Sequence, residues 1–169
     1  MPRKRSTALM TPAIERPRLT WDGREQIQQR IDEITRVRLP ELRPLLAERE
    51  RDERDVAAFE RLLAESLELQ ALLDRSEELP TVDPTNFDGR LALGMRALIT
   101  VADGSSAWVR PVHPGEAHLD DERISMDSPL AVAILGSPIG ASVTVDAPSN
   151  RWVCDILDID PRAAREPDC

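Results

Sequence analysis

The chain has 169 residues, enough for one ordinary domain or for a small domain with an elongated element attached. A net charge of −9 argues against nonspecific duplex binding, because an acidic surface gains little from releasing the counterions around phosphates. Aromatic residues make up 3% and tyrosine is absent, so stacking platforms for single strands are nearly excluded, and a basic macromolecular surface or a bound cation is the more natural partner.

Residues 1–18 mix Pro2-Arg3-Lys4-Arg5 with Pro12 and Pro17 and show no periodicity, which predicts a disordered basic arm. No apolar run long enough for a signal peptide or a membrane span follows it, so a soluble, cytoplasmic protein is expected.

Residues 19–79 read as a helical hairpin. Thr20 is a natural N-cap, and Asp22 suits the positive end of the helix that follows. Apolar residues recur at Ile27, Ile31, Ile34 and Val37 in a narrow stripe of the coiled-coil kind. The returning arm carries Phe59, Leu62, Leu63, Leu67, Leu69, Leu72 and Leu73 and is expected to end near Leu79-Pro80. Two such stripes joined by a charged turn over Glu48 to Asp55 zip together antiparallel. Each arm of roughly 25 to 30 residues would reach about 40 Å, a length that buries little surface and has a purpose only if reach is the purpose. Pro40 and Pro44 each remove a backbone donor inside the first arm, which predicts a kink or break there.

Residues 80–90, with Pro80 and Pro84, have linker chemistry. From 91 to 160 the period changes to strands. Met95–Ala102 and Ala107–Val112 flank the turn dipeptide Asp103-Gly104, and Pro111 should place the second strand at an edge or end it. A polar loop runs from His113 to Glu122, followed by a short strand over Arg123–Met126. Ser128 then caps a compact helix, Pro129 fills its first turn and Gly136 offers a left-handed exit. Strands at Ser142–Val145 and Trp152–Ile159 follow, and residues 161–169 read as a frayed tail. The fold class is therefore α+β: an antiparallel helical hairpin followed by a small antiparallel sheet with one packed helix. Cys154 and Cys169 have no zinc-like spacing and read as reduced thiols, while His113 and His118 lack the further ligands that a metal site needs.

With these pieces in place, the chain resembles the Gre family of bacterial transcript-cleavage factors (GreA/GreB) from Leu19 to Asp160. Leu19-Thr20-x-x-Gly23-x-x-x-Ile27 and Val37-Arg38-Leu39-Pro40-Glu41 resemble the family's opening helix and its Arg-Pro-Glu step, Pro44 being additional. Ile124-Ser125-Met126-Asp127-Ser128-Pro129-Leu130, ending in Leu135-Gly136, is similar to its C-terminal signature. The resemblance implies an FKBP-like C-terminal domain that docks at the rim of RNA polymerase's secondary channel, with Asp127, Ser128 and Pro129 in the binding edge. It also implies a hairpin that enters the channel as a monomer and brings two tip acids to a Mg²⁺ shared with the polymerase, near the 3′ end of the nascent RNA. Hydrolysis would belong to the polymerase, which makes this chain an auxiliary factor and not an enzyme.

Set against the family's Gly-Asp-Leu-x-Glu-Asn-Ala-Glu-Tyr, Asp52 falls on the first acid, Asp55 on the second and Phe59 on the Tyr. Glu50 and Glu53 are substitutes for the acids. Arg51 replaces the turn Gly, Val56 replaces the Asn, Phe59 lacks the hydroxyl, and Arg51 and Arg54 stand where they could pair with the acids. The bland reading of this stretch is a solvated mixed-charge turn, and that of Asp127-Ser128-Pro129 is a helix cap alone. Three functions follow from the sequence: stimulation of transcript cleavage, a non-catalytic regulator that occupies the channel, and a prolyl isomerase module. The last is poorly served by Trp108, Trp152 and Phe87 as the half's only aromatics.

Overall fold

A computed structural model describes residues 16–47, 52–80 and 82–164; residues 1–15 of the arm expected at 1–18, Glu50, Arg51, and residues 165–169 of the tail expected at 161–169, Cys169 among them, lie outside them. Thr20 begins the hairpin as expected, its hydroxyl accepting from the Gly23 N–H at 3.1 Å. Helix α1 spans Trp21–Glu33, a π turn spans Ile34–Arg38, α2 spans Leu39–Leu46 and α3 returns over Glu53–Arg75. Arg30 of α1 pairs with Glu65 of α3 at 2.8 Å, tying the antiparallel arms together across the seam.

The π turn is where the expected break occurs. It lies just before Pro40, whose ring an unbroken α-helix would drive against the Arg36 carbonyl. Pro44 causes no break; α2 continues through it to Leu46, and both prolines are on the exposed side, where water can serve the carbonyl left without a donor. The π turn also corrects the predicted stripe. Ile27, Ile31 and Ile34 are buried, but Val37 is 47% exposed and Leu39 takes the next inward position. On α3, Leu63 and Leu67 face outward, the latter 62% exposed, and buried Ser66 stands in the seam between Leu62 and Leu69. Phe59, Leu62, Ser66, Leu69 and Leu73 follow the alternating three- and four-residue spacing of a seam, which a count of leucines alone does not reveal.

The returning helix ends at Arg75, four residues before Leu79. Ser76 turns extended, its hydroxyl donating to Leu73 O and accepting from the Arg24 guanidinium. Strand β1 (Arg18–Leu19) then pairs parallel with β2 (Glu77–Glu78), so Arg18 belongs to a strand and not to the basic arm.

Strands β3 (Arg96–Thr100), β4 (Ser106–Val112), β5 (Arg123–Ser125), β6 (Ser142–Ala147) and β7 (Asn150–Asp160) form one sheet in the order β5-β4-β3-β7-β6. The β3–β4, β3–β7 and β6–β7 pairs are antiparallel, but β4–β5 is parallel, so the sheet is mixed and not purely antiparallel. Pro111 does not put β4 at an edge. Its ladder with β3 has already stopped at Val109, and on the β5 side the donors are Arg110 and its alternate neighbour, so the missing N–H of Pro111 costs no ladder bond. Helix α4 (Pro129–Ile134) buries Ala131 and Ile134, and Ile134 joins Ile99, Val145, Cys154 and Ile156 in the core of the sheet. Residues 161–164, read as frayed, form a 3-10 turn. Among the described residues no helix is long and apolar enough to cross a membrane.

Candidate functional site

At the far end of the hairpin, Asp52 is the N-cap of α3. Its carboxylate accepts from the Arg54 N–H at 2.8 Å and its carbonyl receives the N–H groups of Asp55 and Val56. Asp55 therefore follows Asp52 by one turn of helix, with Glu53 between them. Neither Asp52 nor Asp55 is in an ion pair among the described residues, and Arg54 offers Asp52 its backbone alone. Among the described residues no group of three or more His, Cys, Asp and Glu side chains could hold a metal by itself. What the tip can offer is one or two carboxylates, hard oxygen donors that suit a Mg²⁺ held chiefly by other groups.

Asp127, Ser128 and Pro129 lie together where β5 hands over to α4. The Ser128 hydroxyl accepts from the Ala131 N–H at 3.2 Å, its N–H donates to Ser125 O, and Asp127 is exposed beside it. The structure thus holds this edge rigid by capping, and leaves the Asp127 carboxylate facing solvent. It does not bring the edge to the tip: the 23 residues of α3 separate them by about 34 Å of helix.

Between the two lies a buried polar cluster that the sequence reading missed. The loop read as merely polar carries a 3-10 turn, Pro114–Glu116, in which the His113 ring nitrogen Nδ1 accepts from the Gly115 N–H. This turn drives Glu116 inward to 0% exposure, where Oε1 accepts from the Thr20 N–H at 2.9 Å and the Thr20 hydroxyl at 2.6 Å. A Cβ on Gly23 would lie 1.5 Å from that oxygen, so only glycine admits the carboxylate here. One residue before Gly23, Asp22 receives Arg110 in a two-pronged contact of 2.7 and 2.9 Å and Arg123 at 2.6 Å. The arginines come from β4 and β5.

Burial pushes the Asp22 carboxyl up, but the Arg110 hydrogen bonds and the Arg110 and Arg123 charges outweigh it and hold the group below its ordinary range. Glu116 goes the other way: burial raises it, and the Thr20 hydrogen bonds and the two arginines only partly oppose the rise. Its second oxygen, Oε2, is buried without a hydrogen-bond partner. The one sequence signal for this cluster was Thr20-x-x-Gly23, whose glycine makes sense only once Glu116 stands against it. Cys154 is unrelated to it, a core thiol that burial and Asp155 push up to about 11.

Residues 88–161, from the linker's end through the sheet, match the model for "Transcription elongation factor, GreA/GreB, C-term". This domain is similar to that of the GreA/GreB family. Relatives extend the similarity over the hairpin. Transcription elongation factor GreB of Pseudomonas aeruginosa is 26% identical over 166 residues, covering 94% of each chain. Transcription elongation factor GreA of Paracoccus denitrificans is 29% identical over 158 residues, covering 86% of this chain and 98% of the relative. The crystal structure of GreA factor homolog 1 of Thermus thermophilus covers 86% of this chain and 99% of its own at 25% identity, with a TM-score of 0.37.

Proposed function

We propose that this chain is a transcription elongation factor that binds bacterial RNA polymerase at the rim of the secondary channel through Asp127, Ser128 and Pro129. Its hairpin enters the channel and stimulates cleavage of backtracked RNA. The observation that carries the reading is the position of Asp52 and Asp55 at the end of a helical rod whose other end is fixed to the domain bearing that edge. The match of residues 88–161 to the GreA/GreB model supports the partner.

In this reading the factor is an auxiliary, cytoplasmic and monomeric, and the polymerase carries out the hydrolysis. Water attacks the scissile phosphorus, the bond to the upstream 3′ oxygen breaks, and the upstream RNA keeps a 3′ hydroxyl while the released fragment carries the phosphate. A Mg²⁺ shared with the polymerase, held in part by the tip carboxylates, would supply Lewis-acid activation of that water. Asp52 and Asp55 contribute carboxylate oxygens and orientation, with Glu53, and Glu50 beyond the described residues, as substitutes.

A second reading, a regulator that occupies the channel without promoting cleavage, is favoured by two specific features. Asp52 already serves as the cap of α3, and its helix carries Val56 and Phe59 where a cleavage tip of the family has Asn and Tyr. The FKBP-like character of the sheet follows from the family resemblance, but isomerase activity has little support. Trp108 lies under the Arg96 guanidinium at 4.8 Å while Trp152 and Phe87 pack on the core, so the three form no cage. A cleavage assay on a backtracked, 5′-labelled elongation complex decides between the first two. Shortened RNA that disappears with Asp52→Ala or Asp55→Ala supports cleavage, whereas binding and slowed nucleotide addition without shortened RNA supports the regulator.

A further inference from the structure

We infer that Asp22, Arg110, Glu116 and Arg123 are positioning residues that hold the hairpin at one angle to the docking edge, so that docking by itself aims the tip; this rests on the polymerase reading above. The cluster ties residues 88 to 101 positions apart, and both ends of each tie matter. Thr20 and Asp22 are the cap and first turn of α1, while Arg123 is on β5, the strand that leads within a few residues to Asp127. One of the grips on the hairpin therefore stands four residues before the edge.

The physics of the cluster suits aim better than it suits stability. Buried ion pairs are frequently no more stabilising than apolar residues of the same volume, so stability alone does not explain so many buried charges. What they add is direction: hydrogen bonds of 2.6 to 2.9 Å from two strands and one loop fix two neighbouring helix residues from different sides. An apolar contact can slide, whereas this cluster leaves a bare buried charge if it slips. Reach makes the angle important. At about 34 Å from the base, a tilt of about two degrees moves the tip by about an ångström, a displacement on the scale that costs about a hundredfold in rate.

The test uses the full chain with Cys154→Ala and Cys169→Ser, spin-labelled at Ala57→Cys near the tip and Thr144→Cys on β6. Wild-type side chains and the Glu116→Gln variant, whose amide oxygen still accepts from Thr20, are expected to give one narrow distance distribution. Asp22→Ala/Glu116→Ala is expected to broaden it while retaining wild-type helix and sheet content by circular dichroism. On backtracked polymerase at saturation the double variant should lose about a hundredfold in cleavage rate, or in inhibition if that is the activity, with half-maximal occupancy shifted by no more than about threefold. A distribution as narrow as wild type in the double variant would overturn the inference, as would equal losses of occupancy and activity. Should the wild-type protein leave polymerase unaffected, the polymerase reading fails, and the distance distributions still decide whether the cluster sets the angle.

Discussion

The backbone N–H of Leu39 bonds the carbonyl of Ile34, five residues back instead of four, and that extra residue turns Leu39 into the seam while Val37 faces water. A wide turn places its fifth residue where an α-helix places its fourth, so the π turn absorbs one inserted residue without losing the phase of the stripe. Leu39, Leu42 and Leu46 then continue the spacing that Ile27, Ile31 and Ile34 began.

Deleting Val37 together with Pro40→Ala should therefore convert the π turn to plain α-helix and leave urea unfolding at or above the wild-type midpoint. Deleting Glu41 instead has no wide turn to absorb it and rotates Leu42 and Leu46 out of the seam. Because both leucines are only half-buried, a loss of about 2 kcal/mol is expected from that deletion. Equal tolerance of the two deletions would mean that the seam does not set the register of the distal hairpin.

Gly23→Ala should reverse the usual sign of a helix substitution. Inside a helix, alanine is favoured over glycine by about 1 kcal/mol, but here the new Cβ meets Glu116 Oε1 at 1.5 Å. We expect a net destabilisation of about 2 kcal/mol by chemical denaturation. In a Glu116→Ala background the penalty should shrink, with the remainder due to Thr20 Oγ1 at 2.7 Å.

Asp22 and Glu116 should leave opposite marks on the pH dependence of stability. Asp22 is depressed in the folded chain despite its burial, so its contribution is complete above the ordinary aspartate range and is lost as pH falls through the depressed value. Asp22→Ala, which leaves two buried guanidinium groups short of their carboxylate, should cost about 3 to 5 kcal/mol at neutral pH, and the deficit should narrow in acid. Glu116 is raised by burial, so its ionised form is the one the fold disfavours. As pH falls through the raised value toward the ordinary glutamate range, wild type should gain stability relative to Glu116→Gln. Unfolding curves for the three proteins, taken from neutral pH through the Glu116 range and on into acid below the ordinary aspartate value of 3.8 for Asp22, check both signs.

Asp52→Asn separates capping from metal delivery. Asparagine caps as well as aspartate, so stability should stay within a few tenths of a kcal/mol, while Asp52→Ala should lose about 1 kcal/mol. If Asp52 serves a shared Mg²⁺, both variants lose cleavage. If asparagine retains wild-type cleavage, the residue is a cap and the metal role falls to Asp55.

Local chemistry was enough to locate the hairpin, the caps at Thr20 and Ser128 and the turn at Asp103-Gly104, because each depends on residues a few positions apart. The seam was only half legible: Val37, Leu63 and Leu67 are as apolar as their neighbours, and a one-residue π insertion changes which of them face inward without changing composition. Pairing of Arg18–Leu19 with Glu77–Glu78 was invisible, since a two-residue strand has no period to read. What tertiary structure alone decided is the cluster at the hairpin's base. Glu116, Arg110 and Arg123 look like ordinary solvated charges in sequence, and they become buried partners of Thr20 and Asp22 only when segments about 90 to 100 positions away close over them, where leaving a charge unpaired costs far more than it does in water.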